Sequence, residues 1–177
     1  MRPLVPYDAE VEYIESTGTQ WIDTGIVPNE RTSSRFYAKG IDGSYSLIIG
    51  FVQESDTRDY RLFGGYGSIY LDIMNQRLNT TEVTIPTSWC EYEFGNMYAK
   101  NITLGQYVSQ EPVGSFVGDH SIWLNRANLW NNELFSTTAW GWLKIYEDEN
   151  IKYDAIPVRF TNEQGESEGA MYDRVTG

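Results

Sequence analysis

The stretch E-Y-I-E-S-T-G-T-Q-W-I-D-T-G-I, residues 12–26, decides how the fold is interpreted. It contains two runs in which apolar and polar residues alternate, separated by S-T-G-T at residues 16–19. Such alternation places successive side chains on opposite faces of a β-strand, and a glycine between two such runs is typical of a tight turn. The stretch therefore predicts a β-hairpin, with Gly18 in the turn and Gly25 at the end of the second strand.

The polar pair Asp23 and Thr24 stands just before Gly25 and could belong to a binding site. Aspartate and threonine side chains at a strand end commonly bond to backbone groups nearby. We therefore predict that Asp23 and Thr24 stabilise this strand end and do not contact a ligand.

Period-two alternation continues along most of the chain, and no long stretch has a clear helical period. It predicts strands at residues 10–15, 33–39, 59–63, 68–74, 89–94, 121–126, 142–147 and 153–160. Glycine-containing turn signals separate many of these runs, and Tyr66 of G-G-Y-G is predicted at the tip of a hairpin. The least regular segment, residues 128–138, is interpreted as a long loop or a single helical turn. Many short strands without helices between them predict an all-β sandwich or closed barrel.

Length and composition are those of a single globular domain. A chain of 177 residues can bury a sizeable core without metals or disulfides, and its 15% aromatic content favours half-buried sheet surfaces. Pro3 and Pro6 prevent helix formation at the start of the chain. We predict an extended arm at residues 1–9, which could dock on a neighbouring molecule, and one domain at residues 10–177.

The charge balance excludes several classes of partner. There are 25 acidic and 13 basic residues, and a net charge of −12 repels nucleic acid and anionic membrane surfaces. No apolar run approaches the ~20 residues that a membrane-spanning helix needs. The opening residues lack an apolar stretch of signal-peptide type, so we expect no export signal in this chain and no membrane insertion.

Four blocks of the sequence resemble a known family of modules. They are V-E-Y-I-E-S-T-G-T-Q-W-I-D-T-G-I-V-P-N (residues 11–29), S-I-W-L-N-R-A-N (121–128), L-K-I-Y-E-D-E-N-I-K-Y-D-A-I-P-V-R (143–159) and G-A-M-Y-D-R-V-T-G (169–177). In this order they resemble the concanavalin A-like, laminin-G-like jelly-roll modules of gut bacterial surface proteins and phage structural proteins. The segment between residues 40 and 115 matches the family only in its strand pattern.

The resemblance implies a fold and a typical function. The fold is a two-sheet antiparallel jelly-roll sandwich of the concanavalin A-like lectin and glucanase type. Such modules are usually non-catalytic pieces that bind carbohydrate or pack in an assembly, in a phage tail or capsid or at a cell surface. We therefore expect a virion or extracellular location. The expected partner is a surface glycan or a neighbouring virion or surface protein, and homo-oligomers are an open alternative.

Sugar binding requires aromatic faces that stack on the C–H patches of a sugar, with amide groups that bond its hydroxyls. The candidate glycan-binding residues are Asn128, Trp130, Asn131, Asn132, Trp140 and Tyr66. The alternative is that the tryptophans of this region, including Trp142, close one end of the core. Trp21, Trp89 and Trp123 lie inside alternating runs and are predicted to be core residues.

Catalysis and metal binding are weaker hypotheses. Glu91 and Glu93 would share one strand face, and two carboxylates are the machinery of a glucanase-type glycoside hydrolase, which is the alternative to a binding module. Zinc is excluded because the chain has a single histidine and a single cysteine. Calcium is possible, with candidates at Asp42 near Ser44 and at Asp56 with Asp59; no other cofactor is expected.

Overall fold

The larger of two antiparallel sheets contains nine strands among the residues that the computed structural model describes, which are 5–40, 47–51, 59–65, 68–74, 76–129 and 132–177. Numbered in chain order, its strands are β1 (Ala9–Glu10), β2 (Ile14–Glu15), β4 (Thr32–Gly40), β9 (Cys90–Gly95), β10 (Tyr98–Asn101), β11 (Gln106–Ser109), β15 (Thr138–Glu147), β16 (Asn150–Thr161) and β17 (Ser167–Asp173). The order across the sheet is β1-β16-β15-β4-β9-β10-β11, with β17 also on β16 and β2 also on β15.

The smaller sheet has the order β3-β12-β5-β6-β7-β8. Its strands are β3 (Ile22–Asp23), β5 (Leu47–Phe51), β6 (Asp59–Gly65), β7 (Ser68–Met74), β8 (Gln76–Thr80) and β12 (Trp123–Leu124). The two sheets pack face to face, which confirms the predicted all-β sandwich. Within the described ranges, no helix has the length and apolar character needed to cross a bilayer.

The largest side chains buried between the sheets are aromatic. Along β4 buried and partly exposed residues alternate, so that Phe36 faces inward while its neighbours face outward. The Phe36 ring centroid lies 5.3 Å from that of Tyr92 and 5.3 Å from that of Trp140, and Tyr60 of the smaller sheet packs 5.5 Å from Phe94. Burying each large apolar side chain stabilises the fold by about 1.5–3 kcal/mol.

The predicted hairpin at residues 12–26 is wrong in its pairing. β2 pairs with β15 of the larger sheet, whereas β3 pairs with β12 of the smaller sheet, so the two runs never pair with each other. The turn between them is closed by side chains: Gln20 Oε1 accepts from the backbone N–H of Thr17 at 2.9 Å, and Ser16 Oγ accepts from the N–H of Gly18 at 3.2 Å. This stretch therefore connects the two sheets instead of forming a hairpin within one of them.

The local predictions for the same stretch are confirmed. Gly18 and Gly25 have positive φ values of 99° and 69°. Asp23 Oδ1 accepts from the N–H of Gly25 at 2.8 Å, and Thr24 Oγ1 donates to the carbonyl of Ile122 at 2.8 Å. Both polar side chains stabilise the strand end, as expected.

The segment of residues 8–16 fills a split in the larger sheet. β15 and β16 pair next to their connecting turn and separate beyond the Leu143–Ala155 pair. β1 then pairs with β16, and β2 with β15, so the segment reverses direction between them. The predicted arm at residues 1–9 overlaps this segment: the backbone N–H of Asp8 donates to the carbonyl of Arg159 at 2.9 Å, so this part of the arm lies on its own sheet.

The segment predicted as a loop or helical turn contains two strands instead. β13 (Arg126–Leu129) and β14 (Asn132–Phe135) pair antiparallel with each other. Backbone hydrogen bonds between the two strands hold this pair together. The sequence prediction missed it because the side chains of this segment do not alternate clearly.

A buried ion pair lies on the face of the smaller sheet that points away from the core. Asp72 accepts from Arg61 at 2.9 and 2.5 Å, and both side chains are only 5% exposed. Arg77, which is 54% exposed, donates to the other carboxylate oxygen at 2.7 Å. Burial alone would raise the pKa of Asp72, but the hydrogen bond from Arg77 and the charge of Arg61 together lower it.

Candidate functional site

A single inserted residue in β15 sends two neighbouring tryptophans to opposite faces of the larger sheet. Trp140 pairs with Ala38 of β4, but Trp142 pairs with Tyr37, so Gly141 forms a bulge between them. Because an extra residue reverses the facing of all those that follow it, Trp140 points into the core and Trp142 points outward. A side chain at Gly141 would meet the Tyr37 ring at 2.8 Å.

Trp140 is therefore not a stacking surface for a ligand. It is 0% exposed, and its indole Nε1 donates to Asn125 Oδ1 at 2.9 Å. A sugar cannot reach a ring that is enclosed on both faces, so the packing interpretation of Trp140 replaces the sugar-binding one.

The structure describes only some of the other predicted glycan-binding residues. Asn128 lies in β13 and Asn132 in β14; Asn128 pairs with Glu133, the residue that follows Asn132. Trp130, Asn131 and Tyr66 lie outside the described residues. A site around Trp130 therefore stays a prediction.

A groove of about 490 Å³ lies on the face of the larger sheet that points away from the core, and we call it the outer groove. It is open to solvent and is bordered by strands β1, β4, β9, β15 and β16 and by the end of β17. Its lining includes the rings of Trp142 and Tyr146, the apolar side chains of Ile156 and Pro157, and the charged residues Glu10, Arg35, Glu91, Lys144 and Arg174. A volume of this size is typical of a small-ligand site.

Cations lie over several other surface rings of the protein. The covered pairs are Tyr13 and Trp89 under Lys39 at 5.6 and 5.4 Å, Tyr98 and Tyr107 under Lys100 at 4.9 and 5.9 Å, and Trp21 and Trp123 under Arg126 at 4.4 and 5.1 Å. Trp142 and Tyr146 differ, because in the described part of the chain neither ring stacks on another ring or lies under a cation. Both side chains are partly exposed and line the outer groove, so no described ring or cation competes with a ligand for their faces.

Two ion pairs fix the charged walls of the groove. Arg35 Nε donates to Glu91 Oε1 at 2.5 Å, and Arg174 Nη2 donates to the two Asp154 oxygens at 2.8 and 2.7 Å. The hydrogen bond to Glu91 raises the pKa of Arg35, and the bond to Asp154 does the same for Arg174. These walls can therefore bond sugar hydroxyls from fixed positions.

The core predictions for the remaining three tryptophans have different outcomes. Trp123 is partly buried and packs against the core, but Trp21 is 40% exposed, so the core prediction is wrong for Trp21. It is also wrong for Trp89, which is partly exposed and stacks on Tyr37 at 5.0 Å on the outward face. Trp21 borders a second depression, of about 650 Å³.

The carboxylates considered for catalysis lie on one face of β9, as predicted. Glu91 is bonded to Arg35, and Glu93 accepts from Lys100 Nζ at 2.6 Å. A glycosidase needs one carboxyl group that carries a proton and a second that acts as nucleophile or base, whereas both of these groups are engaged in ion pairs.

The calcium hypothesis concerns residues that are mostly not described. Asp42, Ser44 and Asp56 lie outside the described residues, and only the backbone of Asp59 is described. Among the side chains that are described, no three His, Cys, Asp or Glu residues come together as a metal site would require.

Fold and groove together define an antiparallel two-sheet β-sandwich with an aromatic groove on the outward face of its larger sheet. No protein-family model matches the sequence, and a search of curated proteins finds no match either. The two-sheet architecture is compatible with the concanavalin A-like resemblance, which rests on the four sequence blocks quoted above.

Proposed function

We propose that this chain is a non-catalytic, concanavalin A-like jelly-roll module that binds a glycan in the outer groove, as an adhesion component of a phage virion or a bacterial surface. One observation carries the proposal. Trp142 and Tyr146 line a groove with charged walls. In the described part of the chain, neither of their rings stacks on another ring or lies under a cation. A sugar ring offers C–H patches to such rings and hydroxyl groups to the charged walls.

The spacing of the two rings supports a chain of sugars over a single one. Trp142 and Tyr146 lie four positions apart on one face of β15, which corresponds to about 13 Å along an extended strand. Two separate sugar units can therefore stack at the same time. The location at a virion or cell surface follows from the sequence resemblance alone.

We expect Trp142→Ala to weaken glycan binding at least tenfold, because it removes the larger of the two stacking faces. A broad glycan array with the unmodified chain identifies a ligand, and titration calorimetry then compares the variants. Trp21→Ala is the matched control, since it removes another surface indole that is already covered by Arg126, and it should bind normally.

Further variants separate the competing locations of the site. If Trp130→Ala abolishes binding and Trp142→Ala does not, the ligand binds near residues 128–132 as the sequence alone suggested. If no sugar binds the unmodified chain, the proposed function is wrong.

The glycoside hydrolase alternative is tested on the same ligand. We expect no new reducing ends when the chain is incubated with the glycan that it binds. Release of reducing ends that is lost in Glu93→Gln or Glu91→Gln would favour a hydrolase instead of a binding module.

A further inference from the structure

Charged residues on the outward face form a row that crosses the larger sheet. Strand register pairs Lys100 with Glu93, Glu93 with Arg35, Arg35 with Lys144, and Lys144 with Asp154. The signs of neighbouring charges differ except at one step, where the cations Arg35 and Lys144 are direct cross-strand neighbours. Like charges in this position destabilise a sheet, and an anion bound beside both would remove the repulsion.

The two carboxylates that the strand register places beside these cations, Glu93 and Asp154, are bound to other residues. Lys100 Nζ donates to Glu93 at 2.6 Å, and Arg174 donates to both oxygens of Asp154. Within the described residues, Lys144 forms no hydrogen bond or ion pair. The Lys144 ammonium group therefore lines the outer groove with its charge uncompensated by a direct contact.

Arg35, the cross-strand neighbour of Lys144, still has N–H groups that can donate to a ligand. Its Nε–H bonds to Glu91, but its two terminal nitrogens form no hydrogen bond with any described residue, and the side chain is 43% exposed. A planar guanidinium group with free N–H groups next to a lysine ammonium group is a common way to bind a carboxylate or a sulfate.

We propose that the glycan bound in the outer groove is acidic, and that Lys144, with Arg35 beside it, binds its anionic group. This inference rests on the proposed function, because it specifies the ligand of the same groove. The shared chemistry is an anionic oxygen group on a sugar, supplied either by a uronic acid carboxylate or by a sulfate ester.

The position of Lys144 fits a sugar that stacks on Trp142. The two residues lie two positions apart on one face of β15, with Cα atoms about 6.6 Å apart. A pyranose ring on Trp142 can thus direct a substituent at its edge towards the ammonium group. Tyr146, two positions further on the same face, offers a surface to the next sugar.

Charge elsewhere in the molecule limits the kind of anion. The net charge of −12 disfavours anionic ligands on the rest of the surface, so retention of an acidic glycan depends on the groove. Glu10 and Glu91 also line the groove and repel a second charge nearby. One carboxylate per sugar, as in a uronic acid chain, therefore suits the groove better than several sulfate groups per sugar.

The test uses pairs of probes that differ only in charge. Oligogalacturonate, oligoglucuronate and oligomannuronate are each presented beside their methyl esters, and dextran sulfate beside dextran. We expect the unmodified chain to bind the acid form of at least one pair about tenfold more tightly than its neutral form. Lys144→Gln should remove this preference, whereas Lys152→Gln, which removes an exposed charge outside the groove, should keep it.

The outcomes separate this inference from the function on which it rests. A preference for dextran sulfate alone would support an anionic ligand and assign sulfate as its source. Equal binding of acid and neutral forms, or a preference that survives in Lys144→Gln, would overturn the role of Lys144 while leaving glycan binding intact. Absence of binding to every sugar would overturn both proposals.

Discussion

Replacing Trp140 with alanine is expected to lower the free energy of unfolding by about 3–5 kcal/mol, because it opens a large cavity in the core. The indole is 0% exposed and packs 5.3 Å from the Phe36 ring. The change also removes the N–H donor to Asn125, a residue that is 3% exposed. For a chain of this size the thermal midpoint should fall by roughly 10 °C.

Two further variants define what the loss means. Trp140→Phe keeps most of the volume and should cost about 1–2 kcal/mol, since Asn125 Oδ1 still accepts from Ser136 Oγ at 3.1 Å. Trp142→Ala, two residues away on the other face, should cost about 1 kcal/mol. Urea denaturation measures all three, and equal losses for Trp140→Ala and Trp142→Ala would contradict the facing that the bulge at Gly141 imposes.

Asp72→Ala is expected to destabilise the fold by a similar amount, about 3–5 kcal/mol, because it removes the carboxylate that accepts two N–H bonds from the buried Arg61. Arg77→Ala removes the exposed partner of the same carboxylate and should cost less than about 1 kcal/mol. Denaturant unfolding at neutral pH compares the two. A loss in Asp72→Ala no larger than that in Arg77→Ala would show that the buried pair is unimportant.

The same carboxylate gives stability a defined pH dependence. The pKa of Asp72 is lowered in the folded protein, whereas the pKa of an aspartate in an unfolded chain is about 3.9. Its contribution is therefore fully present above that value and is lost as the pH falls through the lower folded pKa, because the unfolded state binds the proton first. As the pH is lowered from about 5 to about 2, a range that includes both pKa values, the free energy of unfolding should fall less steeply in Asp72→Ala than in the unmodified chain.

The long strands could be predicted from sequence because alternation alone determines them. The predicted run at residues 68–74 coincides with β7, and that at residues 33–39 lies within β4. Alternation fixes which side chains share a face, but it contains no information on which strand is the neighbour. For this reason the sequence predicts one hairpin at residues 12–26, although β2 and β3 belong to different sheets.

The candidate site was harder to predict because aromatic residues occur on both faces of the larger sheet. In β4, Phe36 faces the core and Tyr37 faces outward, so aromatic content does not distinguish inside from outside. Trp89 lies inside an alternating run, which predicts a core position, yet its ring stacks on Tyr37 on the outward face. The sequence does contain one usable signal: after Gly141, the face that carries Trp142 also carries Lys144, and a lysine is rarely directed into a core.

The way in which residues 8–16 fill the split between β15 and β16 bears on how the chain folds as it is synthesised. Asp8 and Thr161, whose side chains bond, are 153 positions apart. Until the ribosome has added residues beyond 158, the segment of residues 8–16 has no β16 to pair with, and the inner edge of β15 in the split lacks its full complement of partners. Such edges are sites of misassociation in nascent chains, and closing the sheet across so long a loop is intrinsically slow. Completion of the larger sheet is therefore a late event, in which residues 8–16 wait for a strand that is made about 140 residues after them.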